Sequence, residues 1–298
     1  KCLIQGITSS PNPFHISLLQ KYENMDEYKN NNIIRMYSKD CEVLSFNINQ
    51  EEKQEEVIKE SDFLFDKTYT CPACDTEFKV KSVRGGKVHL LGADSDLKPI
   101  YKEIDSLKYD AVMCPKCGYS ALSSNFDFLM PRQIKNIQEK ISANFVKPEE
   151  PEDEYSYDDA ILRHKMALLC TVVKQGKNSE KAYTCLKLAW LVRDKRNELK
   201  KSGQLPEKDK ISLMKEERDL LENAYDGFEA AYSKEDFPMC GMDRFTLDLL
   251  MGEVAYRIGK FQKASRHVNQ LLGDRATPSR VKDKALDLKE SIQKHIQK

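Results

Sequence analysis

Two short stretches constrain this chain more than anything else in it: Cys71-Pro-Ala-Cys74 and Cys114-Pro-Lys-Cys117. Each is a Cys-x-x-Cys pair with proline directly after the first cysteine, and the pairs stand about forty residues apart. A tight turn at each pair aims two thiolates at one point. The two turns together then supply a tetrahedral four-sulfur site, the ligand set of structural zinc. The separation exceeds the usual zinc-ribbon range, so the loop between the pairs must carry structure of its own. The expectation is one zinc ion per chain, held structurally by Cys71, Cys74, Cys114 and Cys117.

Around these pairs, from Phe63 to Phe128, the pattern is one of short strands. Thr68-Tyr-Thr leads into the first pair, Phe78 to Val83 alternates, and Tyr109 to Met113 delivers Cys114. Gly85-Gly86 reads as a hairpin turn into Lys87-Val-His-Leu-Leu. Gly118 stands where a turn can need positive φ, and Asp75, at the matching place, tolerates that conformation better than most residues. Asp94-Ser-Asp96 reads as a solvated loop, and His89 as structural. Pro131 opens a helix in its first turn, followed by Ile134, Ile137, Ile141 and Phe145 at helical spacing.

Residues 148–159 are proline-punctuated and strongly acidic, and are expected to be an extended linker, with an acidic partner-binding motif as the alternative. Everything after Asp159 is helical in pattern. The stripes are Leu162–Val173, Ala182–Val192, Leu213–Ala231, Leu247–Ile258, Phe261–Leu271 and Val281–Ile292. Pro238 and Gly241 break the run after the third. Gly252, Ala264, Val268, Leu271 and Pro278 fall near the small, apolar and proline positions of a tetratricopeptide repeat, as do Cys170, Ala182, Leu186 and Ala189, although the signature aromatics are absent. An irregular bundle is the competing arrangement. In residues 1–60, Phe14, Leu18, Tyr22 and Met25 suggest a helix within Pro11–Tyr37, a short strand follows from Cys41, and Glu51 to Glu60 is a charged run. Lys1-Cys-Leu-Ile reads as an interior start.

The fold class expected is α+β: a small β-rich, zinc-ribbon-like module followed by an all-α, tetratricopeptide-like helical-hairpin domain. The divisions are 1–60, an extension; 61–147, the metal module with one helix; 148–159, the linker; and 160–298, the helices. Lys plus Arg equals Asp plus Glu at 48 each, and the pI is about 7.1, which argues against a general nucleic-acid binder. Residues 61–130 hold nine Lys or Arg against ten Asp or Glu, and four thiolates around one Zn²⁺ add two negative charges. No apolar run reaches membrane-span length. The nine cysteines suit a reducing compartment, so a cytoplasmic protein is expected.

The chain also resembles a bacterial family catalogued only as a domain of unknown function (number 2225). The residues that carry the resemblance are Leu64-Phe-Asp-Lys-Thr-Tyr-Thr-Cys-Pro-Ala-Cys, Asp94-Ser-Asp, Tyr109-Asp-Ala-Val-Met-Cys-Pro-Lys-Cys-Gly-Tyr-Ser-Ala and Glu180-Lys-Ala-Tyr, over residues 62–298. The resemblance implies a zinc-ribbon-like module with tetratricopeptide-like helices in a cytoplasmic protein. It implies no reaction and no catalytic residues.

Four thiolates leave a metal no open position for substrate, and neither a phosphate loop nor a metalloprotease helix is present. The leading reading is therefore a non-catalytic scaffold that binds a protein or peptide. A nucleic-acid-binding zinc ribbon and a thiol redox sensor are the alternatives. If the helices are repeat-like, His164, Thr171, Lys174 and Gln175 from the first pair, with Thr246, Leu249, Glu253, Tyr256 and Arg257 from the second, are expected to line a groove for an extended peptide bearing a carboxylate.

Overall fold

A computed structural model describes residues 59–297 throughout and, within 1–58, the backbone of two strands. The chain divides into two compact units, Lys1–Ile58 and Lys59–Lys298. In the first, β1 (Ile33–Ser38) pairs antiparallel with β2 (Cys41–Asn47), the strand expected after Cys41. The helix expected around Phe14, Leu18, Tyr22 and Met25 lies outside the described residues, as does most of the charged run ending at Glu60.

The second unit is α+β. It opens with three antiparallel hairpins: β3 (Leu64–Thr70) with β4 (Glu77–Val83), β5 (Leu90–Ala93) with β6 (Pro99–Tyr101), and β7 (Ala111–Met113) with β8 (Ser120–Leu122). β4 folds back on β3 across the first cysteine turn, with Thr70 opposite Glu77, so Gly85-Gly86 is not a hairpin turn. Residues Gly85–Lys87 form a 3-10 turn that hands the chain to the next hairpin. The first cysteine turn gives β4 its partner in β3, so the strand beyond the glycines pairs elsewhere, with β6.

Seven helices follow: α1 (Pro131–Lys140), α2 (Tyr157–Val173), α3 (Asn178–Lys201), α4 (Glu207–Tyr232), α5 (Arg244–Arg257), α6 (Phe261–Gly273) and α7 (Ser279–Ile296). Pro131 occupies the first turn of α1. Ser156 caps α2 reciprocally with Asp159, and Asp243 caps α5 by accepting from the Thr246 N–H. The central helix is α3, which buries Ala182, Leu186 and Ala189 on one side and Leu188 and Leu191 on others. A helix apolar on several faces must be surrounded. It packs between α2 and α4, and α4 comes so close that a Cβ on Gly227 would lie 2.9 Å from Ala182 Cβ.

The acidic stretch 148–159 is not a free spacer. Tyr155 is buried and stacks on Tyr109 at 5.0 Å between ring centroids, while its N–H donates to the Tyr109 hydroxyl. Glu150 pairs with the buried Arg163 at 2.9 Å, and Glu154 accepts from the Ser61 N–H. Two acids of the run thus have specific donors, and one aromatic anchors it. Charge counting alone could not reveal this.

Candidate metal centre

Two copies of one local device build the centre. β3 runs into Cys71, whose N–H donates to Thr76 O at 3.0 Å, and Asp75 N–H donates back to Cys71 O at 2.9 Å. β7 runs into Cys114, with Cys114 N–H to Tyr119 O at 2.8 Å and Gly118 N–H to Cys114 O at 3.0 Å. Both turns close through a residue at positive φ, Asp75 at 56° and Gly118 at 74°. Gly118 is required for space as well, because a Cβ there would stand 2.3 Å from the Phe145 ring.

The four sulfurs lie within 4.8 Å of one another. Cys71 Sγ is 3.5 Å from Cys117 Sγ, and Cys74 Sγ is 3.7 Å from Cys114 Sγ. Sulfurs bound at 2.3 Å to one tetrahedral ion stand about 3.8 Å apart, whereas a disulfide would hold them at about 2 Å. The donor set therefore fits a single metal ion. Cys71, Cys114 and Cys117 are buried and Cys74 is half-buried. Backbone N–H groups of Ala73, Cys117, Lys116 and Tyr119 are aimed at the sulfurs, which favours thiolate. Hydrogen bonding with Cys117 and Cys71 pulls the Cys114 thiol down, while the interaction with Cys114 pushes the Cys117 thiol up. One sulfur ionises at its neighbours' expense, so a full set of thiolates needs a cation among them.

The centre is braced from outside. Tyr69, Phe78 and Tyr119 surround Phe126, with centroids 5.0 to 5.9 Å away. From α1, the Gln138 side chain donates to Ala73 O at 2.8 Å. From α2, Cys170 Sγ accepts from the Ser120 N–H at 3.3 Å, just beyond the second turn. The metal turns and the first helices share one core.

The residues expected to line a peptide groove do not meet on one surface. His164 is fully buried, its Nδ1–H donating to Ala160 O at 2.8 Å, and burial pushes its pKa down to about 4, so the ring is neutral. Thr171 is buried and donates to Ala167 O. Lys174 is buried against Glu180 at 2.7 Å. Leu249, expected to be exposed, is 2% accessible and packs with Leu271 and Ala285. Glu253 is also buried, Thr246 and Tyr256 are half-buried, and Gln175 is exposed at the end of α2. Arg257 pairs with Asp94 and Asp96, each at 3.3 Å. Both cations meant for a ligand carboxylate already have one. Helical spacing marks a face, but partners from other elements decide whether that face is free.

Those partners include a cluster that the sequence reading missed. Asp96, expected in a solvated loop, is fully buried. Its carboxylate accepts from Trp190 Nε1 at 3.1 Å and Arg193 Nη2 at 2.6 Å, while Arg193 Nε donates to Glu217 at 2.7 Å. The tip of the β5–β6 hairpin is thereby bound to α3, α4 and α5. A signal was present: Arg193 sits four residues after Ala189, in line with the apolar stripe of α3, where a cation calls for a buried partner.

A family described as "Uncharacterized protein conserved in bacteria (DUF2225)" matches residues 64–292. No curated protein and no solved structure matches the chain.

Proposed function

Because the chain belongs to this uncharacterized bacterial family, whose description assigns no activity, we propose from the site itself that it is a zinc-stabilised scaffold that binds a protein partner and has no catalysis of its own. The observation that carries this reading is the saturated, largely buried four-sulfur set. Four thiolates fill a tetrahedral ion and leave no position for water or substrate, so the metal's contribution is folding energy. Thiolate-only ligation suits zinc in a reducing compartment, which supports a cytoplasmic location. Among the described residues, no helix is long and apolar enough to cross a membrane.

The helical half supports a binding role through its hairpins. Besides the approach at Gly227, Gly252 admits α7 and α6 closely: a Cβ there would meet Leu288 Cδ2 at 3.1 Å and His267 Cβ at 3.4 Å. Small residues at such crossings let helix pairs pack closely, and stacked helix pairs of a tetratricopeptide-like kind present an extended surface to a partner. The test is affinity capture from the native bacterium with the metal-loaded chain, after nuclease treatment. One protein retained at a fixed ratio is expected. Capture that disappears with nuclease, or no retained protein, overturns the reading.

A further inference from the structure

A cleft of about 630 Å³ opens where the metal module meets the first helices. Its walls are the segment after β8 (Ser124 to Met130), the α2–α3 turn (Lys174 to Lys177) and the α4–α5 connection (Glu235 to Cys240). Its size is that of a site for a small ligand or a few residues of peptide. Phe128 is 74% accessible and Met130 54%, large exposures for apolar side chains on a cleft rim.

The charges in the cleft are unequal once internal pairs are removed. Lys174 and Glu180 neutralise each other. Glu235 is committed to the start of α3, accepting from the Asn178 and Ser179 N–H groups. Asp127 and Asp236 are exposed and within salt-bridge distance of no cation among the described residues; Lys177 in the cleft wall and Lys67 near Asp127 oppose them. The carboxyl ends of α2 and α4 abut the cleft and so do the amino ends of α1 and α3, so the helix dipoles offset one another there. The cleft lining holds four carboxylates, Asp127, Glu180, Glu235 and Asp236, against two lysines, Lys174 and Lys177, so its field is net negative beside an exposed aromatic ring and a methionine, a combination that attracts a cation carried next to apolar groups.

We propose that this cleft is the partner site and that it takes a peptide segment presenting arginine or lysine beside leucine-sized side chains. Here Phe128 and Met130 cover the apolar groups while Asp127 and Asp236 hold the cation. The inference rests on the scaffold reading and gives that reading a location and a partner chemistry.

The test uses the full metal-loaded chain and two fluorescein-labelled peptides of equal length, one alternating leucine and arginine, the other leucine and glutamate. The arginine peptide should bind, more weakly as salt rises, and the glutamate peptide should not. Asp236→Lys and Phe128→Ser, both at exposed positions, should each weaken binding about tenfold or more, with metal content and thermal midpoint unchanged. Equal binding by both folded variants, preference for the glutamate peptide, or no binding of either would overturn the proposal. Those results would leave intact a scaffold whose partner is captured from the native host. Absence of a captured protein, with the peptide result positive, would instead remove the scaffold reading.

Discussion

Where α2 and α3 meet the metal module, many of the buried groups are charged: Lys187 against Asp110, Lys98 against Asp194, and Arg193 between Asp96 and Glu217. Where α5, α6 and α7 meet one another, the contacts are mainly Leu250, Val254, Ala264, Val268, Leu288 and Ile292, with Asp248 as a buried carboxylate that Tyr232 and His267 accompany. An apolar seam tolerates small shifts because dispersion has no direction. A buried ion pair holds only in one geometry, and losing one member strands the other. The first seam is therefore specific and fragile, and the second is adaptable.

The largest effect should come from the metal. Apparent binding energies at structural zinc sites run to roughly 10 kcal/mol or more, and here the site's core includes Cys170 of α2. Cys114→Ser, or chelation, should raise amide exchange through residues 64–122 and also through Tyr157–Val173, while Arg244–Ile296 stays protected. Confinement of the loss to the hairpins would show that the charged seam transmits nothing. Elemental analysis of protein purified without added metal should give one zinc per chain; iron in its place would change the assignment.

Next is Asp96→Ala, which leaves Arg193, Arg257 and the Trp190 N–H without their acceptor. Breaking a buried pair costs about 3–5 kcal/mol, to be read by urea unfolding. Asp158→Ala removes a pair whose carboxylate is mostly exposed and should cost no more than about 1 kcal/mol. Similar losses from the two variants would end the distinction between buried and surface charge in this protein.

The pH dependence of the same seam comes third. His164, close to Asp110 and Lys187, has its pKa lowered by burial from the ordinary 6.5 to about 4. With the folded pKa depressed, the unfolded chain takes up the proton first, so stability is complete above 6.5 and falls as pH drops toward 4. By pH 4 the loss should reach about 3 kcal/mol. His164→Gln should flatten the urea midpoint across that window; an unchanged slope would place the acid sensitivity elsewhere.

The smallest effect probes the helical side. Gly227→Ala puts a methyl 2.9 Å from Ala182 Cβ, and overpacking of this kind costs about 1–3 kcal/mol. A neutral result would mean that α3 and α4 can move apart despite the Arg193–Glu217 pair that joins them.

The sequence by itself determined the two cysteine turns of the candidate metal site, the positive-φ places at Asp75 and Gly118, the helical stripes and the α+β order, because each depends on residues near one another in the chain. A cysteine turn closes over a few residues, and an apolar stripe repeats every helical turn. Only the tertiary structure decided that Asp96 is buried under Trp190, that Tyr155 pins the acidic strap to Tyr109, and that Lys174 and Arg257 are already paired. Burial and ion pairing depend on what arrives from across the fold: Asp96 and Arg193 are 97 residues apart. Neither residue carries a local mark that names the other.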